Sequence, residues 1–422
     1  MVIIKLRKNS STNQLICNIL NETITLFFYK FKTVSNTHTL IGNNAKPDID
    51  HILVINTYAD SNPWSNSLIN PILDMASKNN KIGVVTAHLK MLAVDNQDDL
   101  KKIKESLFQK LPSQTPKLIV MIGCASYILC DELNNQWPDV PMLLCGERDY
   151  TGPEELITTG EPITPEQRIP VSNLHEKFNL TFMYAHNYLE ENIQLMKQLI
   201  PQLENIIYIG DRTYICRQNN YDLSEVLQEK HPELKYQFLS AENISTDSLF
   251  TILNHQNQQT TGVLFTSWIR KQDFTDNLVM TTNSHRIIAT VSIPLFSFRT
   301  VGIKEEGGIV GGYVYNEKRY ISQLLTNIDD IINGKPARDI PFYQIDNGAP
   351  VFNYQSLLQR NLDPSRCPQS TIFFNAPPTF WEQYEYIVIG GLCLLILILL
   401  FFQYNRVRVL LKMKHIQQNE LR

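Results

Sequence analysis

One stretch constrains this chain more than any other. From Tyr386 to Phe402 the sequence YIVIGGLCLLILILLFF carries no charged residue, and the uncharged run continues to Asn405. About 20 apolar residues rising 1.5 Å each span a hydrocarbon core of roughly 30 Å, and a helix satisfies its own backbone there. Residues 385–405 are therefore predicted to form one transmembrane helix. A buried core helix of the same composition would give no reason for the flanks: Trp381, Tyr384 and Tyr386 precede the run as an aromatic belt, and Arg406, Arg408, Lys412 and Lys414 follow it. The positive-inside rule places the basic tail, residues 406–422, in the cytoplasm and the bulk of the chain outside.

That orientation requires export, and the export signal in the first 50 residues is poor. Lys5, Arg7 and Lys8 suit a signal n-region, but Leu15 to Tyr29 is interrupted by Asn18, Asn21 and Glu22, with no clean small-residue cleavage site after it. Residues 1–50 read as a degraded signal or anchor, or as a misplaced start. The remainder has a globular composition, 43% hydrophobic and 19% charged, so a packed core is expected. With 38 Lys and Arg against 42 Asp and Glu, the net charge of −4 offers no basic footprint for nucleic acid. Mean hydropathy just below zero excludes a multi-span transporter.

Between His51 and Gly334 short apolar runs alternate with amphipathic stretches, the pattern of parallel α/β sheets. Ile52–Ile55, Ile82–Thr86, Leu118–Ile122 and Met142–Cys145 read as buried strands, with Leu68–Met75 and Leu100–Leu111 as helices between them. After a loop over 151–169, helix Tyr188–Leu199 leads to strand Ile206–Ile209, helix Leu223–Glu229 to Tyr236–Leu239, and helix Ser248–Leu253 to Gly262–Phe265. Strand Ile287–Val291 closes this second series. Two doubly wound units joined in this way predict two lobes within residues 51–380. Lobe 1 covers about 51–172 with a return segment over about 300–345, and lobe 2 covers about 175–298.

Ligands of open α/β sheets sit beyond the carboxyl ends of the strands. Those positions supply Thr57, Tyr58 and Asp60 with Trp64 nearby, then Ser126, then Glu147 and Arg148, then Asp211, and finally Ser267 and Trp268. Such hydroxyls, charges and indoles suit a polar small molecule held between aromatics. The same residue types also cap helices and fill loops, so each position has a structural reading too. Enzyme signatures are weak. GGIVGG lacks the order of a dinucleotide fingerprint and the Lys of a P-loop, and reads as turn and close-packing glycine. No H-x-x-x-H, C-x-x-C or G-x-S-x-G occurs, so neither a metal nor a cofactor is expected. A hydrolase would need a pair such as Ser126 with His88, and nothing in the sequence brings them together.

HILVINTYADSNPWSNSLINPIL, GGIVGGYV with GKPARDIPFYQ, NYQSLLQRNLD and FNAPPTFWEQYEY before a single membrane helix resemble a known group, across roughly residues 51–422. It is the extracytoplasmic sensor region of membrane two-component histidine kinases whose domain is similar to ABC-transporter substrate-binding proteins. The resemblance implies a two-lobed periplasmic-binding-protein fold on the bacterial inner membrane, with the bulk of the chain periplasmic. It implies binding of a small-molecule ligand of unstated class, a homodimer, and a cytoplasmic kinase or response regulator as partner. Family members continue into a phosphoacceptor helix pair and an ATP-binding domain, whereas the sequence here stops at Arg422, so no kinase residue carries over. Val409, Leu410, Met413, Ile416 and Leu421 form a partial apolar stripe that suits the start of a signalling coiled coil, and the basic tail equally suits a stop-transfer anchor. The alternative function is a membrane-tethered solute-binding protein of an ABC-type transporter.

Overall fold

The computed structural model describes residues 50–58, 62–78, 82–91, 94–271, 278–279, 290–304 and 308–420. The possible signal over residues 1–50 therefore lies outside the described residues except for Asp50, and Asp60 lies outside them as well.

Strands β1 (Asp50–Asn56), β2 (Ile82–His88), β3 (Leu118–Ile122) and β4 (Met142–Gly146) alternate with the helices Pro63–Lys78, Gln97–Lys110 and Cys130–Gln136. A ribbon of β5 (Tyr150–Thr151) and β6 (Ile169–Pro170) brackets an excursion, and β7 (Leu180–Ala185) returns to the sheet. Next come β8 (Asn205–Gly210), β9 (Lys235–Ser240) and β10 (Thr261–Phe265), a second ribbon of β11 (Arg270–Lys271) and β12 (Leu278–Val279), then β13 (Leu295–Ser297) and β14 (Gly311–Val314). After helix Glu317–Ile332 the chain adds β15 (Tyr343–Ile345), β16 (Ala349–Asn353) and β17 (Ile372–Phe374).

Two sheets result, in the orders β15-β7-β4-β3-β1-β2 and β17-β16-β14-β13-β10-β8-β9. Every pairing in the first is parallel, and in the second only β14 with β16 is antiparallel. Helices cover both faces of each sheet. Along β1, Leu53 and Ile55 enter one core cluster while Ile52 and Val54 enter the other. All four side chains are fully buried, which is why the strand reads as a continuous apolar run. At roughly 1.5–3 kcal/mol for each such side chain, burial on both faces anchors the sheet.

Where the chain changes sheets differs from the sequence reading. Leu180–Ala185 belongs to the first sheet, paired with β4 and β15, so the first crossing falls after residue 185 and not near 172–175. Of the return segment 300–345, β14 lies in the second sheet, while helix Glu317–Ile332 and β15 lie with the first. Of the strand expected at Ile287–Val291, Ile287 to Ala289 lie outside the described residues, and Thr290 and Val291 form a turn and bend; a strand that the sequence reading did not place is Leu295–Ser297. The glycines of GGIVGG do allow close approach. A Cβ at Gly312 would stand 2.0 Å from the Ser297 carbonyl oxygen of the neighbouring strand.

The chain ends in one helix, Phe380–Glu420, of 41 residues. It is long and apolar enough to cross a membrane, and none of its apolar window is buried against the rest of the chain, unlike a core helix. Five residues containing Pro377 and Pro378 join it to β17. Thr379 and Glu382 form a reciprocal cap at its start: Glu382 Oε2 accepts from the Thr379 N–H at 2.7 Å and the Glu382 N–H donates to Thr379 Oγ1 at 3.3 Å.

Candidate ligand-binding cleft

The carboxyl ends of the two sheets face each other, and the loops after β1, β3 and β4 meet those after β8 and β13. The loop after β1 is shaped by Asn56, fully buried, whose amide donates to Ser65 Oγ at 3.1 Å and whose Oδ1 accepts the Tyr58 N–H at 3.1 Å. Thr57 Oγ1 and Ser126 Oγ both donate to the Gly123 carbonyl, at 3.1 and 2.7 Å. Gly123 has φ +93°, and a Cβ there would come within 2.8 Å of Thr57 Oγ1, so the close junction of β1 and β3 requires glycine. These bonds lock the scaffold and turn Tyr58 toward β4.

Glu147, at the end of β4, is 4% exposed. Its Oε1 accepts from Tyr58 OH at 3.4 Å and lies 3.2 Å from Arg299 Nη2, while Cys124 Sγ donates to Oε2 at 3.4 Å. Arg299 follows β13 of the second sheet, so this ion pair joins the two lobes. Its guanidinium lies over the rings of Trp64 and Tyr315, 5.2 and 5.3 Å from their centroids. The Trp64 indole in turn donates to Tyr315 OH at 2.8 Å. Burial works against the charge on Arg299, but Tyr315 and Glu147 outweigh it and hold its pKa above the ordinary guanidinium value. Burial, then Glu147, pushes the Tyr58 hydroxyl well above its usual range, so it stays a donor. The Cys124 thiol is pushed to about 12 by burial and by Glu147, and stays protonated.

Further contacts tie the lobes. Arg148 Nη1 pairs with Asp222 at 2.7 Å and its Nη2 donates to Asn219 at 2.6 Å. Gln218 Oε1 accepts from the Ile163 N–H at 2.7 Å, and Arg212 pairs with Asp95. Between the lobes a cavity of about 30 Å³ remains, lined by Thr57, Tyr58, Cys124, Glu147, Thr158 and Tyr214 among others. That is room for about one water, so the structure represents a closed cleft. A wider groove of about 620 Å³ runs alongside, past Arg148, Tyr150, His186 and Asp222.

The sequence candidates separate on this geometry. Tyr58, Trp64, Glu147 and Arg148 converge on the cleft. Thr57 lines the cavity and Ser126 stands just behind it, and both direct their hydroxyls to the Gly123 carbonyl. Asp211 is fully buried and accepts from Thr213 Oγ1 at 2.6 Å, the Thr213 N–H at 3.0 Å and Ser267 Oγ at 2.5 Å, so it organises the start of helix Tyr214–Lys230. Trp268 packs in the core of the second lobe with its indole N–H on Thr246 Oγ1 at 3.1 Å, and does not line the cavity. Arg299, Tyr315 and Tyr214 escaped the sequence reading. Arg299 follows a strand of three residues, too short for periodicity to mark. Among the described residues, no group of His, Cys, Asp and Glu is arranged to hold a metal.

No protein-family model and no curated protein matches the chain. Solved structures do match in shape. One is an ABC domain in complex with L-Trp from Streptococcus pneumonia, at 12% identity and TM-score 0.51, covering 76% of this chain and 99% of that one. Another is a conserved domain protein from Vibrio cholerae, at 11% identity and TM-score 0.50, covering 77% of this chain and 99% of that one. The fold is that of a periplasmic binding protein. In a binding-protein fold the facing strand ends are where two lobes close, and the Glu147–Arg299 pair occupies that place here. At such identities the likeness extends to the fold alone.

Proposed function

We propose that this chain is a membrane-anchored extracytoplasmic receptor that binds a small solute between its lobes and signals through its membrane helix to a cytoplasmic kinase module. The observation that carries the solute-binding part is the pair of buried, oppositely charged side chains, Glu147 and Arg299, brought from different sheets to a cleft with aromatic walls. Topology follows from charge: Arg406, Arg408, Lys412 and Lys414 hold the tail inside, leaving the lobes in the periplasm. The signalling part draws on the joint between lobe and membrane. A strap of five residues, stiffened by two prolines, leads into a helix that runs unbroken to Glu420, beyond the apolar run that ends near Asn405. A tether needs neither a stiff joint nor a continued helix.

A second reading, a tethered solute-binding protein of an ABC-type transporter, draws on the pneumococcal neighbour, described as an ABC domain in complex with L-Trp. The solute-binding core is tested by a thermal-shift screen of the full chain in detergent against sugars, nucleosides, amino acids and organic acids. A ligand at 100 times its Kd adds roughly 2.7 kcal/mol to stability. The two readings part at the tail. Met413→Cys and Ile416→Cys should cross-link between copies in the membrane, with a yield that changes on solute addition, if the chain signals. A monomeric tail, indifferent to solute, assigns the chain to transport.

A further inference from the structure

We propose that the cleft is built for an amphoteric solute of the amino-acid type, with a cationic nitrogen for Glu147 and an anionic oxygen group for Arg299; this rests on the solute-binding reading above. The first argument is that both charges are poorly served by the protein's own groups in the closed cleft. The contacts of the Glu147 carboxylate are long, 3.2 Å to Arg299 and 3.4 Å each to Tyr58 and Cys124. Arg299 Nη1 is buried with no hydrogen-bond partner among the described residues. A buried charge without short, directed partners is costly, so a solute that offers better ones to both groups gains free energy on binding.

Charge balance narrows the class. A monoanion entering between the pair would set two carboxylates on one guanidinium, and a monocation would face the Arg299 guanidinium, which lies over the Trp64 ring, itself edge-on to Tyr58. Either leaves a net charge in a buried site, whereas a solute carrying both signs leaves none. Polyols fit less well for a different reason. Thr57 and Ser126 already donate to the Gly123 carbonyl, and Thr213 and Ser267 already donate to Asp211. These four hydroxyls and the Asp211 carboxylate are thus engaged within the scaffold, which leaves the Tyr214 hydroxyl, buried without a partner at the cavity wall, as a neutral group free to meet a sugar. The cavity of about 30 Å³ cannot admit an amino acid as it stands, so entry requires the lobes to part, which separates Glu147 from Arg299 and presents each to the solute.

The test uses the full chain in detergent, with the twenty amino acids, their deaminated and decarboxylated analogues, and a set of common sugars, read by thermal shift and then calorimetry. At least one amino acid should bind, and both of its singly charged analogues should bind at least about tenfold more weakly, as expected when a hydrogen bond to a charged group is lost. Glu147→Gln should weaken the amino acid by about tenfold or more and reduce its preference over the deaminated analogue to below about threefold. Arg299→Gln should do the same with respect to the decarboxylated analogue. Tight binding of a sugar or of a simple carboxylate, or an undiminished preference in Glu147→Gln, overturns the proposed class and leaves solute binding standing. Silence of every compound on a chain shown to be folded by circular dichroism overturns both.

Discussion

Replacing Asp222 with Asn keeps the shape of the side chain and removes the charge that faces Arg148 across the cleft. The pair is well shielded, with side-chain exposures of 9% for Arg148 and 15% for Asp222, and its 2.7 Å separation is short. A hydrogen bond to a charged group is worth roughly 1.5–3 kcal/mol against roughly 0.5–1.5 kcal/mol for a neutral one, so the substitution loses about 1–1.5 kcal/mol. Because the partners sit on different lobes, that loss falls on closure: once the cleft opens, Arg148 regains water and the penalty disappears. At 1.36 kcal/mol for each factor of ten, the open population should rise about five- to twelvefold. Cys124 reports it. The thiol is 3% exposed and held protonated in the closed cleft, so an alkylating reagent reaches it only after opening. Peptide-resolved alkylation at pH 8 should run about five- to twelvefold faster at Cys124 in Asp222→Asn, with little change at Cys130, which is buried beneath the first lobe's own helices. Equal acceleration at both thiols would mean that the pair supports the fold of the chain and not lobe closure. An unchanged rate at Cys124, with the chain folded, would remove Arg148 and Asp222 from the closing contacts altogether.

Other expectations follow from single positions. Trp268→Ala should lower stability by roughly 3–5 kcal/mol, the cost of emptying a core site, and leave solute affinity unchanged in calorimetry. Trp64→Ala should weaken solute binding as well, because it removes a ring from beneath Arg299 and frees Tyr315 OH. Gly312→Ala should cost roughly 1–3 kcal/mol or more in urea denaturation, since its methyl meets the Ser297 carbonyl oxygen, part of a strand that cannot swing aside. His51, 5% exposed, has its pKa lowered by burial against an opposing pull from Asp50. The unfolded chain therefore binds the proton first, and stability should fall as pH drops through 6.5 toward the folded value; His51→Phe should flatten that part of the stability profile.

Particular residues explain which parts could be read from sequence. β1 to β4 were legible because strands buried on both faces concentrate Val, Ile and Leu into short runs, and the turn residues after them gave Tyr58 and Glu147. β7 was not assigned to the first sheet, since which sheet a strand joins depends on a crossing made by residues 186–188, and periodicity carries nothing about crossings. β13 is three residues long and fell below any pattern, so Arg299 was missed with it. The hydroxyls stand where expected, with their hydrogen bonds directed into the scaffold. A short polar side chain after a strand satisfies a nearby carbonyl or caps a helix as readily as it meets a ligand, and only the hydrogen-bond partners distinguish the two.

On the proposed reading, the route from cleft to membrane runs through one lobe. Arg299 stands two residues beyond β13, β13 pairs with β14, β14 with β16, and β16 with β17, which leads into the membrane helix. Among the described residues, the first lobe has no comparable strand link to the membrane helix. Three strand pairings in a close-packed sheet do not flex appreciably, so the second lobe and the strap should move as one body when Glu147 and Arg299 part or rejoin. A solute then changes the helix only to the extent that it binds the closed cleft better than the open one. A solute that merely replaced the Glu147–Arg299 pair at the same lobe angle would bind without signalling. Output requires that the solute hold the lobes at a different angle from the one Glu147 and Arg299 set by themselves. A measured inter-lobe distance that is identical with and without bound solute would therefore leave the chain a binder and remove it from the class of signalling receptors.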